Sequence, residues 1–353
     1  MTHQSIFNHP KDYLLQAFKQ HDVVLLAEDH AVKTHLDFVK DVIPDLHAAG
    51  VSYLAMEFGA SEDQDTLNQL LTGKTFDKNL ARTLMFHYNV RWAYKEYLDL
   101  YEAVWRFNQI RPKNTPPFLL INMSYIFDWS DYNGVRTAEN LQRVFHKGPI
   151  DEYRANIIMD IKQADEKVLI LTGTVHALKH PLAQSQSTSE SELPETKWLG
   201  EYLYEAYGDR VTNLLFHQPL EPLMEMVTQK QIPPSPTAFV EQLLSKPAGF
   251  DLKKLPIHHD RNSHNVFDFF AQFFDGYLYL APLHGCTGAT VDKHFLDEQS
   301  FSDVLSQWPD KDWTPAPKNE KDYWQIISDY VDLKQRYRNY IEPGIEMKSK
   351  QFE

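Results

Sequence analysis

Six short apolar runs that lack polar alternation constrain this chain more than any other feature: residues 23–26, 52–56, 118–121, 168–171, 211–216 and 277–280. A strand with one wet face alternates apolar and polar side chains. Runs such as VVLL and VLIL therefore belong to strands covered on both faces, as in a parallel sheet flanked by helices. Helical periodicity occupies the intervals, at 35–46, 61–71, 91–109, 151–163 and 197–207. Strand alternating with helix predicts an α/β fold, a mostly parallel central sheet of about six strands with helices on both faces.

The helical segments carry their own signals. Leu36, Val39, Val42, Ile43 and Leu46 form one stripe, which Pro44 is expected to kink or split. Ser61 and Gln64 read as a capping box, with a stop at Gly73. Trp92, Tyr97, Tyr101, Val104 and Trp105 share a face of the 91–109 helix. Residues 183–196, rich in Ser, Gln and Glu, read as a surface loop placed where a lid would sit. The Pro-rich stretch 218–256 reads as an excursion with one helix at 237–245, and 321–341 as a charged helix. The predicted organisation is an α/β domain over 1–300 and a C-terminal helical appendage over 301–353. That last helix either lies on the core or meets another subunit, which leaves a homodimer open.

The chain has 353 residues, 42% of them hydrophobic, enough to bury a large core. Its 35 basic and 49 acidic residues give a net charge of −14, which repels a phosphate backbone, so nucleic acid is not an expected partner. The single cysteine, Cys286, excludes an intramolecular disulfide and leans to a reducing compartment. No apolar run approaches a membrane span. The expectation is a soluble cytoplasmic protein, or a periplasmic one from which a leader has been removed, acting on a small-molecule substrate or ligand.

In an open parallel sheet the ligand crevice lies beyond the carboxyl ends of the strands. The residues following the six runs are Glu28, Asp29 and His30, then Glu57, Asn122, His176, His217 and His284. Asp29 has a structural alternative as a helix cap, and each histidine one as a neutral hydrogen-bonding ring. Glu28 and Glu57 end apolar strands, where a carboxylate needs a cation, a metal or a shared proton. Two acids brought together would push one pKa up, which is how a general acid or base is made. The set Glu28, His30, Glu57 and His176 also holds enough N and O donors for a divalent ion, although HExxH is absent. His258, His259, Asp260 and His264 form a separate cluster, read as a solvated loop or an opportunistic metal site. There is no GxSxG, no Walker A and no GxGxxG. Cys286 is read as a buried bystander thiol, with a nucleophile beside His284 as the alternative. Trp92, Tyr94, Trp129 and Tyr132 are candidate walls of a ligand pocket.

At Ala27-Glu28-Asp29-His30, at Glu57 within LAMEF, and at Gly173-Thr174-Val175-His176, the chain resembles the erythromycin esterase/ChaN-like superfamily, which includes the TraB and Tiki proteins. Order and spacing agree from about residue 22 to 176, and FDGYLYLAP resembles the last core strand. Ala27 stands where the family has glycine. The family's Arg-acid-x-x-Met segment appears only as the run from Arg154 to Met159. The resemblance implies a shared fold and site serving diverse functions: macrolide ester hydrolysis, metal-dependent proteolysis, and haem binding linked to iron uptake. In the esterase branch the positions matching Glu28, His30, Glu57 and His176 form the active site, and the first histidine activates water. In the Tiki branch the corresponding motifs hold a metal. The resemblance therefore implies a hydrolase, with a haem- or metal-complex-binding protein as the alternative, and divalent metal or haem as the cofactor.

Overall fold

The computed structural model describes residues 6–162, 166–180, 197–228, 236–254 and 266–341. The 183–196 loop and the His258, His259, Asp260 and His264 cluster lie outside the described residues. Seven strands form one sheet: β1 (Val23–Glu28), β2 (Val51–Ala60), β3 (Leu119–Ser124), β4 (Lys167–Gly173), β5 (Val211–Phe216), β6 (Ala248–Asp251) and β7 (Gly276–Tyr279). Their order is β3-β2-β4-β1-β5-β7-β6, parallel throughout except for β6 against β7. The α/β reading holds, with seven strands in place of about six. The added strand is a four-residue antiparallel edge inside the stretch read as an excursion, too short to announce itself.

The missing alternation has a direct cause. Val24 and Leu26 face one buried cluster while Val23, Leu25 and Ala27 face another. Every residue of central β1 is buried. Trp308, Tyr323 and Ile327, from the 301–341 stretch, belong to the same cluster as Leu26 and Leu54. Among the described residues no helix is long and apolar enough to cross a membrane.

Local expectations shift in four places. The helix Lys33–Ala48 runs on through Pro44. An interior proline costs about 3 kcal/mol, and the buried stripe Leu36, Val39, Val42, Ile43 and Leu46 outweighs it at about 1.5–3 kcal/mol per side chain. No capping box forms at Ser61. Residues Ser61–Asp63 make a 3-10 turn before the helix Gln64–Thr72, and Ser61 Oγ meets Tyr153 OH at 2.7 Å. Gln64 instead imitates a neighbouring strand: its amide donates to Leu120 O (2.8 Å) and its carbonyl accepts from Asn122 N (2.8 Å), closing part of the open edge of β3. The aromatic helix spans Lys95–Ile110 and does not start at Arg91, because Arg91 N and Trp92 N both donate to Asn89 in a turn. The C-terminal helix breaks into Glu320–Tyr330 and Leu333–Arg336, with the Asp332 side chain capping the second piece.

Asn108 ties this framework together. Its amide donates to Leu71 O (3.2 Å) and Phe118 O (2.9 Å), and its carbonyl accepts from Phe118 N (2.9 Å). Asn108→Ala leaves those buried backbone groups unpaired, and urea unfolding should show a loss of about 2 to 4 kcal/mol. Wild-type stability in that variant would refute the bracing role.

Candidate functional site

The carboxyl end of β1 carries the first half of the site. Val24, Leu26 and Glu28 share a face by the two-residue period of a strand, so Glu28 follows the core inward and is wholly buried. Its Oε1 accepts from Tyr97 OH (2.6 Å) and from His30 Nδ1 (3.0 Å). Its Oε2 has no hydrogen-bond partner. Burial pushes the Glu28 pKa up against those two bonds. Ala31 follows with φ of +59°, a left-handed conformation that a side chain disfavours. Its N–H donates to the Tyr97 hydroxyl (3.0 Å), so one tyrosine fixes both the acid and the turn.

His30 lies edge-on to the stacked Phe58 and Trp92 rings, at 5.3 and 5.5 Å. Its Nε2 stands 3.7 Å from Glu57 Oε1. Burial works against protonation of His30, but the Glu28 hydrogen bond and the charges of Glu57, Glu28 and Asp29 outweigh it, and its pKa is raised.

Glu57 lies inside β2, three residues short of its end, where a register shift against β3 between Met56 and Ala60 loosens the strand. Its Oε2 accepts from Thr172 OH (2.5 Å) and Gly173 N (2.7 Å). Arg154 Nη2 lies 3.9 Å from Oε1. Burial would raise this carboxyl, yet Arg154, His176 and His30 hold it at about 2. Arg154 is itself braced by Ser124 Oγ (3.1 and 3.2 Å) and by Asp151 Oδ1 (2.9 Å). The other oxygen of Asp151 accepts from His176 Nδ1 (2.7 Å) and Leu199 N (3.0 Å). His176 stands in the 3-10 turn Thr174–Ala177 that follows β4, edge-on to Trp198.

The two imidazoles converge on Gly173. A Cβ placed there would lie 2.7 Å from His30 Cε1 but in ordinary contact, 3.5 Å, with His176 Cδ2, so the missing side chain is what admits the His30 ring. The arrangement is two carboxylate–imidazole pairs, Glu28–His30 and Asp151–His176, either side of an ionised Glu57. Such pairs fix a tautomer and stabilise an imidazolium, which equips the site for proton transfer.

Other candidate positions fall elsewhere. Asp29 does not cap a helix; it pairs with Arg336 and Tyr337. Asn122 is inside β3, its amide donating to Ala60 O. His217 is buried in a separate network with Tyr277 OH (2.7 Å) and Glu241 (3.2 Å), and His284 is exposed near Glu241. Burial pushes the Cys286 thiol up to about 11, so it stays protonated near neutral pH. Trp92 lies against His30, whereas Trp129 and Tyr132 form their own cluster with Leu141 and Val144, so the four aromatics do not wall one pocket. The residues not foreseen are Tyr97, Ser124, Asp151 and Thr172. The spacing of Asp151 and Arg154, one helical turn apart, was the available signal for the pair.

Residues 14–114, a stretch that includes Glu28, His30 and Glu57, match the family described as haem-binding uptake, Tiki superfamily, ChaN. Over those residues the chain is similar to the ChaN-like superfamily. A solved structure described as a succinoglycan biosynthesis protein shares the fold at 12% identity and a TM-score of 0.54, over 79% of this chain and 91% of that one. A Bacillus cereus protein aligns at 12% identity and a TM-score of 0.47, over 76% and 90%. A structure of cofacial haem binding to ChaN of Campylobacter jejuni aligns at 16% identity and a TM-score of 0.37, over 59% and 86%. No curated protein matches the chain.

The donor chemistry separates the two implied cofactors. Among the described residues no group of three His, Cys, Asp or Glu side chains is arranged to hold a metal ion. Glu57 Oε2 is committed to Thr172 and Gly173, and the Arg154 guanidinium beside Oε1 repels a cation, so the set does not fit a divalent metal. Haem needs one imidazole nitrogen free while the other is anchored. His176 meets that condition, since Asp151 anchors Nδ1 and Nε2 has no partner among the described residues. His30 does not, because its Nε2 faces Glu57.

Because the folded pKa of Glu57 is depressed from 4.5 to about 2, its stabilisation is present above pH 4.5 and is lost as pH falls toward 2. The loss should amount to roughly 3 kcal/mol. Urea midpoints measured across that window should fall more steeply for wild type than for Glu57→Gln, and parallel curves would contradict the assignment.

Proposed function

We propose that this is a hydrolytic site in which His30 acts as general base on a water that attacks an ester or amide carbonyl. The observation that carries the reading is the geometry at His30: Nδ1 held by Glu28, Nε2 3.7 Å from Glu57. That gap is too long for a hydrogen bond, and one water can reach both atoms. The water oxygen bonds to the acyl carbon while its proton passes to Nε2. Glu28 and Glu57 stabilise the resulting imidazolium, and the proton then passes to the departing alkoxide or amine as the acyl bond breaks. In this reading His176, whose ring Asp151 holds, orients the carbonyl. Arg154 touches Ser124 and Asp151 and acts by compensating Glu57.

A second reading rests on the family match and on His176. There the protein binds haem through His176 Nε2, with Asp151 fixing the ring, and the bound group supplies an iron centre in place of acyl chemistry. Haemin titration distinguishes the two: a Soret shift at stoichiometric haemin, lost in His176→Ala and kept in His30→Ala, supports haem binding, and no shift removes it.

The hydrolytic reading expects His30→Ala to lower turnover of p-nitrophenyl butyrate by at least about a hundredfold while the circular dichroism spectrum is kept. Retained turnover would sink it. His30 must be neutral to accept a proton and its pKa is raised, so kcat/KM should rise with pH through a midpoint above 6.5. Glu28→Gln removes a cause of that rise, and the limb should move to lower pH; an unmoved limb would assign it to another group.

A further inference from the structure

The turn that carries His30 is fastened by residues far along the chain. Arg336 Nη1 donates to His30 O (3.1 Å), across 306 residues of sequence, and to Tyr330 O (3.1 Å). Arg336 Nη2 sits 2.5 Å from Asp29 Oδ2, an ion pair without hydrogen-bond alignment, and Tyr337 OH donates to the same oxygen. The guanidinium is layered between the Tyr330 and Tyr337 rings at 5.0 and 5.2 Å. Leu333 and Tyr337 are buried with Val32, the residue that begins the next helix.

Consecutive backbone groups of the turn are thus held from different parts of the chain. Arg336 takes the His30 carbonyl, Tyr97 takes the Ala31 N–H, and Ala289 N donates to the Ala31 carbonyl (2.8 Å). Ala31 is left-handed, and such a residue persists only where its surroundings over-determine it. The packing behind the turn is as close: a Cβ on Gly288 would run into the Val331 carbonyl, so only glycine lets residues 287–289 pass between the turn and the broken C-terminal helix.

We propose that Arg336 and Tyr337 are positioning residues for His30, a clasp that fixes Asp29 and the His30 carbonyl and so holds the imidazole between Glu28 and Glu57. The proposal rests on reading His30 as the working base. Neither clasp residue touches the place where substrate would react; they act through the backbone and through Asp29. Three carboxylates bear on the ring, Glu28, Glu57 and Asp29, and all three favour its protonated form. Arg154 answers Glu57 and Arg336 answers Asp29. Removing Arg336 therefore exposes His30 to an uncompensated Asp29 and frees the carbonyl that sets the turn.

The test follows the His30 ring itself, by NMR titration of histidine-labelled full-length protein, beside kcat and KM for p-nitrophenyl butyrate and the melting temperature. Arg336→Met should raise the His30 midpoint and lower kcat on the order of tenfold, with KM changed less than about twofold. Arg336→Lys should recover part of the kcat, and Asp29→Asn added to Arg336→Met should bring the midpoint back. Tyr337→Phe, a milder change that keeps the ring, should move both quantities in the same direction and carries the test if Arg336→Met does not fold. An unmoved His30 midpoint in folded Tyr337→Phe, and in Arg336→Met where it folds, would overturn the clasp, even if melting temperatures fell. If wild-type protein turns over no ester while the midpoint still moves, the hydrolytic reading fails and the clasp stands.

Discussion

A negative charge buried inside the sheet is the constraint from which the candidate site grows. Glu57 is 4% exposed and ionised, and a carboxylate in that position is tolerated only with hydrogen bonds and a cation. Thr172 and the Gly173 N–H supply the first, Arg154 the second. Arg154 must in turn be satisfied, by Ser124 and Asp151, and the other oxygen of Asp151 receives His176 and the start of the helix Leu199–Tyr207. One buried acid thereby fixes the placement of side chains on β3, β4, the helix Ile150–Ile161 and the turn after β4.

The two carboxylate–imidazole pairs arrive from different sides of this charge. Glu28 and His30 come with the aromatic face, among Phe58, Trp92 and Tyr97. Asp151 and His176 come from beyond β4, against Trp198. The pairs differ in consequence. The Glu28 carboxyl is raised by burial, whereas Asp151, though buried, is held down by His176, Arg154 and the Leu199 N–H. Within one crevice the protein keeps one acid reluctant to ionise and two that ionise readily, which is the separation that acid–base chemistry uses.

Much of this was legible in the sequence, for reasons that also explain the gaps. Unbroken apolar runs revealed the two-sided sheet, and the rule placing ligands beyond carboxyl ends gathered Glu28, His30, Glu57 and His176. The same rule overreached at Asn122, because β3 continues to Ser124 and turns that side chain toward the Ala60 carbonyl. It overreached at His217, whose ring is taken by Tyr277 and Glu241. Asp151 escaped notice because an acid in the first turn of a helix already has a sufficient reason to be there. The capping alternative for Asp29 fails because its partner Arg336 lies more than 300 positions away, where local pattern cannot reach.

That distance gives the turn at Ala31 a kinetic meaning. Strands β1 and β4 can pair, and the apolar faces can collapse, before residue 336 has joined the fold. The His30 carbonyl cannot be secured until it has, and contacts between such remote parts of a chain are among the slowest to form. The turn that carries His30 therefore cannot take its final form ahead of the segment that clasps it. In synthesis from the amino end, that closure waits until nearly all of the described residues have emerged.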